Sequence, residues 1–228
     1  MKKIILCIAA SFLIASCSTE QEITTEKKVK KSTSLGEIAI AENAENPFDQ
    51  TGRKYYNLLT LYTDTYGYPV SAQELADHLR YLSAKYGNID NTEKSVITIT
   101  PEKIALILAE PLAQLNSLIE NSSLSSSIKS NLSDFVADLV DRQEDEYEEV
   151  CNFIVAYETA AIANVLLEED EKDTILKMAS ISRYSLYAEA RRRDRDWETA
   201  ITTRPAKAIF VANQRTLITL AVLFGRLQ

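Results

Sequence analysis

Apolar residues recur along this chain at helical spacing, and almost nothing interrupts them. Tyr55, Leu58, Leu59 and Tyr62 follow the i, i+3, i+4, i+7 rule, and Leu75, Leu79, Leu82 and Tyr86 line one side of the next stretch. Side chains at that spacing share one helix face and need another element to cover it. Only five glycines and five prolines occur in 228 residues, too few for the many tight turns of a sheet protein. The hydrophobic fraction of 46% and charged fraction of 25% exclude wholesale disorder and a multi-span membrane protein. The expected fold is all-α, a single bundle-like domain of about seven helices over residues 46–228.

Local signals divide that domain. Asp49 is placed to cap the first helix, and Tyr66-Gly67-Tyr68-Pro69 breaks it. Ser71-Ala72-Gln73-Glu74 has the serine and glutamate of a capping box, and Gly87-Asn88 is the expected stop. Val96 to Ile99 alternates briefly and reads as extended. Thr100-Pro101 opens another helix, which Pro111 should kink or restart. Asn121 to Ser127, with five serines in seven residues, reads as a loop. Later apolar series run through Ile128, Leu132, Phe135 and Val136, through Val150, Ile154, Tyr157 and Ala161, and through Ile175, Met178, Ile181 and Leu186.

The last helix is expected from about Pro205 to Phe224. Thirteen of the 19 residues from Ala206 to Phe224 are apolar, and they point around the whole circumference, so this helix should be central. Lys207, Asn213, Gln214 and Arg215 argue against a membrane span. A buried Arg215 needs a carboxylate, and Glu158 is the expected partner.

The first twenty residues have a different character. Lys2 and Lys3 precede an apolar run from Ile4 to Ile14, which is too short to span a bilayer. Small residues Ala15 and Ser16 follow, then Cys17. This is a secretory leader in residues 1–16. Residues 17–45 read as a tether, polar, poor in aromatics and disordered, with a flexible reach of about 30 Å. Its Lys27-Lys28-Val29-Lys30-Lys31 run reads as a solvated linker or a headgroup contact.

Ile14-Ala15-Ser16-Cys17 resembles the lipobox of bacterial lipoproteins. That resemblance implies a diacylglyceryl group on the Cys17 thiol, cleavage before Cys17 and fatty acylation, commonly palmitate, of the new amino terminus. Two or three acyl chains make a stable anchor where one does not. Ser18 in place of an aspartate implies the outer membrane, with a periplasmic or surface-facing body. The lipobox, the short tether, Asn46-Pro47-Phe48-Asp49 and Arg183-Tyr184-Ser185 together resemble uncharacterised envelope lipoproteins of Bacteroidota, families that bring no established activity. Cys7 leaves with the leader and Cys17 carries lipid, so Cys151 alone remains and no disulfide is expected.

The chemistry-bearing residues are sparse. His78 is the sole histidine and reads as a surface or boundary residue. A histidine-rich metal centre is therefore unavailable, and no cofactor is expected. The acidic runs at 141–149 and 168–173 lack the ligand alternation of a calcium loop and read as solvated. The formal charge of −8 falls to −10 once Lys2 and Lys3 leave, which argues against nucleic acid as a partner.

The segment from Arg183 to Trp197 is the most unusual. Arg183, Tyr184, Arg193, Arg195 and Trp197 are the candidate partner-binding residues, because arginine and aromatics anchor interfaces. The competing reading is an ion-paired helix end. The expectation is an outer-membrane-anchored module for binding or assembly with an envelope protein, more than an enzyme. The alternative is an envelope hydrolase with an acidic site, which a cleft holding two convergent carboxylates would reveal.

Overall fold

The computed structural model describes residues 39–90, 99–200 and 214–224. The leader, Cys17, the lysine run, residues 91–98 and residues 201–213 lie outside that set. Among the described residues there are eight α-helices and no strand: α1 Asp49–Tyr66, α2 Ala72–Asp90, α3 Pro101–Ala109, α4 Pro111–Glu120, α5 Ser126–Asp141, α6 Tyr147–Ala163, α7 Glu169–Ala200 and α8 Gln214–Phe224. A short 3-10 turn, Ala39–Ala41, precedes them.

Several boundaries follow the expected chemistry. Thr100 Oγ1 accepts the Lys103 N–H at 3.3 Å, with Pro101 at the first helical position. Pro111 restarts the chain as α4. Ser125 Oγ accepts the Ile128 N–H at 3.4 Å to open α5. Ser71 Oγ accepts the Glu74 N–H at 3.2 Å, while the Glu74 carboxylate reaches one residue further back, to the Val70 N–H at 2.8 Å. Gly67 ends α1 at φ 82°, a left-handed conformation that favours glycine, with its N–H bonded to Thr63 O at 2.9 Å.

Other boundaries differ. Phe48, not Asp49, is the N-cap of α1, and no side chain caps that helix. Asp49 sits in the first turn, and its carboxylate is engaged elsewhere. Helix α2 continues through Gly87 and Asn88 to Asp90, because an isolated glycine costs a helix only about 1 kcal/mol. The charged segment after Arg191 does not interrupt α7, which runs 32 residues.

Helix α7 is the spine, with α1 and α6 packed along it and α8 against it. Helix α8 also touches α3 and α4, so Leu217, Ile218, Leu220 and Ala221 are all buried, as expected of a central helix. Two apolar clusters result. The larger unites Leu75, Ile104, Leu115, Ile128, Phe135, Ile154, Ile175 and Leu217. The smaller is tyrosine-rich and joins Ala41, Tyr55, Tyr56, Leu59, Tyr184 and Tyr187. No helix among the described residues is long and apolar enough to cross a membrane.

Candidate functional site

Two polar centres are built into this apolar body. The first begins with the segment before α1. Asn43 O accepts the Asn46 N–H at 3.1 Å, and Asn46 O accepts the Asp49 N–H at 3.0 Å, so the chain winds into α1 by successive turns. The side-chain oxygens of Asn43 and Asn46 each accept the backbone N–H two residues on, at 3.2 and 2.8 Å. This frees both amide nitrogens to face inward. Asn43 Nδ2 donates to Glu158 Oε2 at 2.6 Å, and Asn46 Nδ2 donates to Glu158 Oε1 at 2.7 Å and to Leu176 O at 3.0 Å.

Arg183 closes the centre from α7. Its Nη2 donates to Asp49 Oδ1 at 2.7 Å and Glu158 Oε1 at 3.1 Å, and its Nη1 donates to Ala41 O. Tyr184 OH donates to Asp49 Oδ2 at 2.9 Å. Burial alone would lower the Arg183 pKa, but the carboxylates of Glu158 and Asp49 outweigh it and hold the guanidinium above its usual value. Gly52 brings α1 against α7, its N–H donating to Ser180 Oγ at 3.1 Å while that hydroxyl donates to Asp49 O at 3.2 Å. Nearby, burial pushes the phenol of Tyr147 and the thiol of Cys151 upward, so Cys151 is no activated nucleophile.

The second centre joins α2, α7 and α8. Arg215 Nη2 lies 2.7 Å from His78 Nδ1, and since arginine only donates, Nδ1 accepts and the proton sits on Nε2. The imidazole stacks on Tyr62 with centroids 4.0 Å apart. Burial, and then the Arg215 charge, lower the His78 pKa to about 2. Arg215 Nη1 is 3.9 Å from Glu189 Oε2, and Glu189 Oε1 takes Arg192 Nε at 2.8 Å. Burial lowers the Arg215 pKa, with Glu189 opposing.

Two expectations are corrected here. His78 is fully buried rather than a boundary residue, because Arg215 satisfies its Nδ1 and Tyr62 covers its face. Arg215 pairs with Glu189 and His78, whereas Glu158 belongs to Arg183.

Neither centre has the form of a catalytic site. Asp49 and Glu158 do converge, but Glu158 is fully buried and Asp49 nearly so, and the same guanidinium nitrogen binds both. Burial and the Arg215 charge, which lower the His78 pKa to about 2, make it a weak base. An apolar hollow beside Tyr55, Leu79 and Thr219, about 30 Å³ in volume, has room for little more than a water molecule. Among the described residues no three His, Cys, Asp or Glu side chains are grouped as metal ligands would be. No protein family, curated protein or solved structure matches this chain.

The candidate interface residues scatter. Arg183 and Tyr184 are wholly buried and unavailable to a partner, which corrects their assignment to a binding surface. Arg183 binds Asp49 and Glu158 there, and Tyr184 OH donates to Asp49. Arg193 is half-buried on α7. The side chains of Arg195 and Trp197, and all of Cys17, fall outside the described residues.

The chain from Ala41 to Glu45, assigned to the tether, is packed onto the body next to Asn46, with Ala41 fully buried and Asn43 and Asn46 nearly so. The Asn43 and Asn46 contacts were missed. Their one visible signal is Arg183 itself, the sole charge between Met178 and Ala188 in a run of small and apolar residues.

Proposed function

We propose that this chain is a bacterial envelope lipoprotein, anchored at the outer membrane through an acylated Cys17, whose helical body is a binding or assembly module. The observation that carries the reading is Ile14-Ala15-Ser16-Cys17 behind a short apolar leader. The closed interior supports the second half. The most chemically endowed side chains, Asp49, Glu158, Arg183, His78 and Arg215, are spent on one another inside the body.

Expression of Cys17→Ser in a diderm host tests the anchor. The native protein should stay with the outer membrane through a high-salt wash and incorporate a palmitate analogue. The variant should do neither. A Cys17→Ser protein that still sediments with washed outer membranes would reject the lipid anchor. A crosslinking pulldown from intact envelopes, compared with turnover assays on envelope polymers, separates a binding module from a hydrolase.

A further inference from the structure

The connection between α6 and α7 carries the two most exposed large apolar side chains among those described, Val165 at 89% and Leu166 at 88%. The turn that presents them is fastened from within. Asn164 Oδ1 accepts the Leu166 N–H at 2.9 Å, the Asn164 N–H bonds to Ala161 O at 3.3 Å, and Lys172 Nζ reaches Ile162 O at 3.4 Å. Leu167, the next residue, turns inward against the core. The aliphatic pair is thus held in water by a turn that is already ordered, and an ordered apolar contact loses little freedom when a partner covers it.

The surrounding charge narrows the partner. Glu168, Glu169 and Asp170 are exposed beside the pair, with Glu171 next to them, and Lys172, the one cation in sequence from 164 to 173, is directed at Ile162 O. The partial charge of about +0.5 at the α7 N-terminus offsets only a fraction of four carboxylates. Such a field repels anionic lipid and nucleic acid and attracts lysine and arginine. The pair also lies at the far end of α6 from Tyr147, whose OH donates to Ile40 O at 3.5 Å. The segment leading into α1 also meets α6 at Glu158, through Asn43 and Asn46, and Val165 and Leu166, past the end of that helix, stay exposed.

We propose that Val165 and Leu166 form a docking tip for an envelope protein that offers an apolar socket rimmed by lysine and arginine. The proposal deepens the reading of the body as an envelope binding module and rests on it.

The test places a photocrosslinking residue at position 166 of the full lipoprotein in intact cells, with a second probe at Leu61, an exposed site on α1. The expected result is one protein adduct from position 166 and none of it from position 61. Its yield should fall about tenfold with Glu169→Lys plus Asp170→Lys, or in envelopes at about 0.5 M salt, while the melting temperature is unchanged. An adduct indifferent to charge reversal, an equal adduct from position 61, an adduct with lipid, or no adduct overturns the proposal. Fractionation of the same cells is read separately. Protein with Cys17 intact in the washed soluble fraction rejects the anchor, whatever position 166 captures.

Discussion

Glu158 and Arg183, 25 residues apart on α6 and α7, meet at 3.1 Å through Arg183 Nη2, and that same nitrogen holds Asp49 at 2.7 Å. Three helices and the segment before α1 therefore share one buried guanidinium. Two carboxylates against one cation leave an excess negative charge, which the amides of Asn43 and Asn46 solvate in place of water. The folded body thus extends back to Ala41.

Removing the cation should be severe. Arg183→Leu strands two carboxylates in the interior and is expected to destabilise the fold by about 3–5 kcal/mol. Urea unfolding of the purified protein measures this. A loss under about 1 kcal/mol would show that water reaches the centre freely and that the clasp is not structural.

Gly52→Ala should separate α1 from α7. A Cβ at that position would lie 2.4 Å from Ser180 Oγ, 2.4 Å from Tyr184 Cδ2 and 2.5 Å from Ser180 O. The last of these is backbone, so side-chain adjustment cannot relieve it. A cost of at least about 1–3 kcal/mol is expected, and Ser180→Ala in the same chain should not restore stability. Full rescue by Ser180→Ala would contradict the backbone clash.

Stability should decline with acid through His78. Its folded pKa is lowered to about 2, from 6.5 in the unfolded chain. Between those values the unfolded state binds a proton that the folded state refuses, so stability falls as pH falls below about 6.5. From pH 7 to pH 5 the loss is about 2 kcal/mol. His78→Gln, which still offers an acceptor to Arg215, should flatten the dependence in that window. An unaltered slope in the variant would assign the titration to other groups.

Leu220 is fully buried on α8. Leu220→Ala should cost about 2–5 kcal/mol through the cavity it opens. Unchanged denaturation midpoints would mean that the surrounding helices collapse into the gap, which a central helix packed on three others should prevent.

The helices themselves were legible because their evidence is local. The periods at Tyr55/Leu59 and Leu75/Leu79/Leu82, the cap at Thr100 and the restart at Pro111 act over one or two turns, and the structure keeps them. Central placement of α8 was also readable, since a helix apolar on all sides has nowhere else to go. The stop at Gly87 failed because a single glycine costs a helix only about 1 kcal/mol, and the helix runs on to Asp90.

What only the tertiary structure decided is the fate of the charges. A sequence shows that a buried arginine needs a carboxylate, but this one holds 33 acidic residues, and choosing among them depends on which helices become neighbours. So Glu158 went to Arg183, not Arg215, and His78 went inside. Arg183 and Tyr184, which resemble interface anchors by composition, became the interior of the clasp. Helix formation is settled by contacts within a few residues. Ion pairing is settled by distances of a few ångströms between residues as far apart as Asp49 and Arg183, and the fold alone sets those distances.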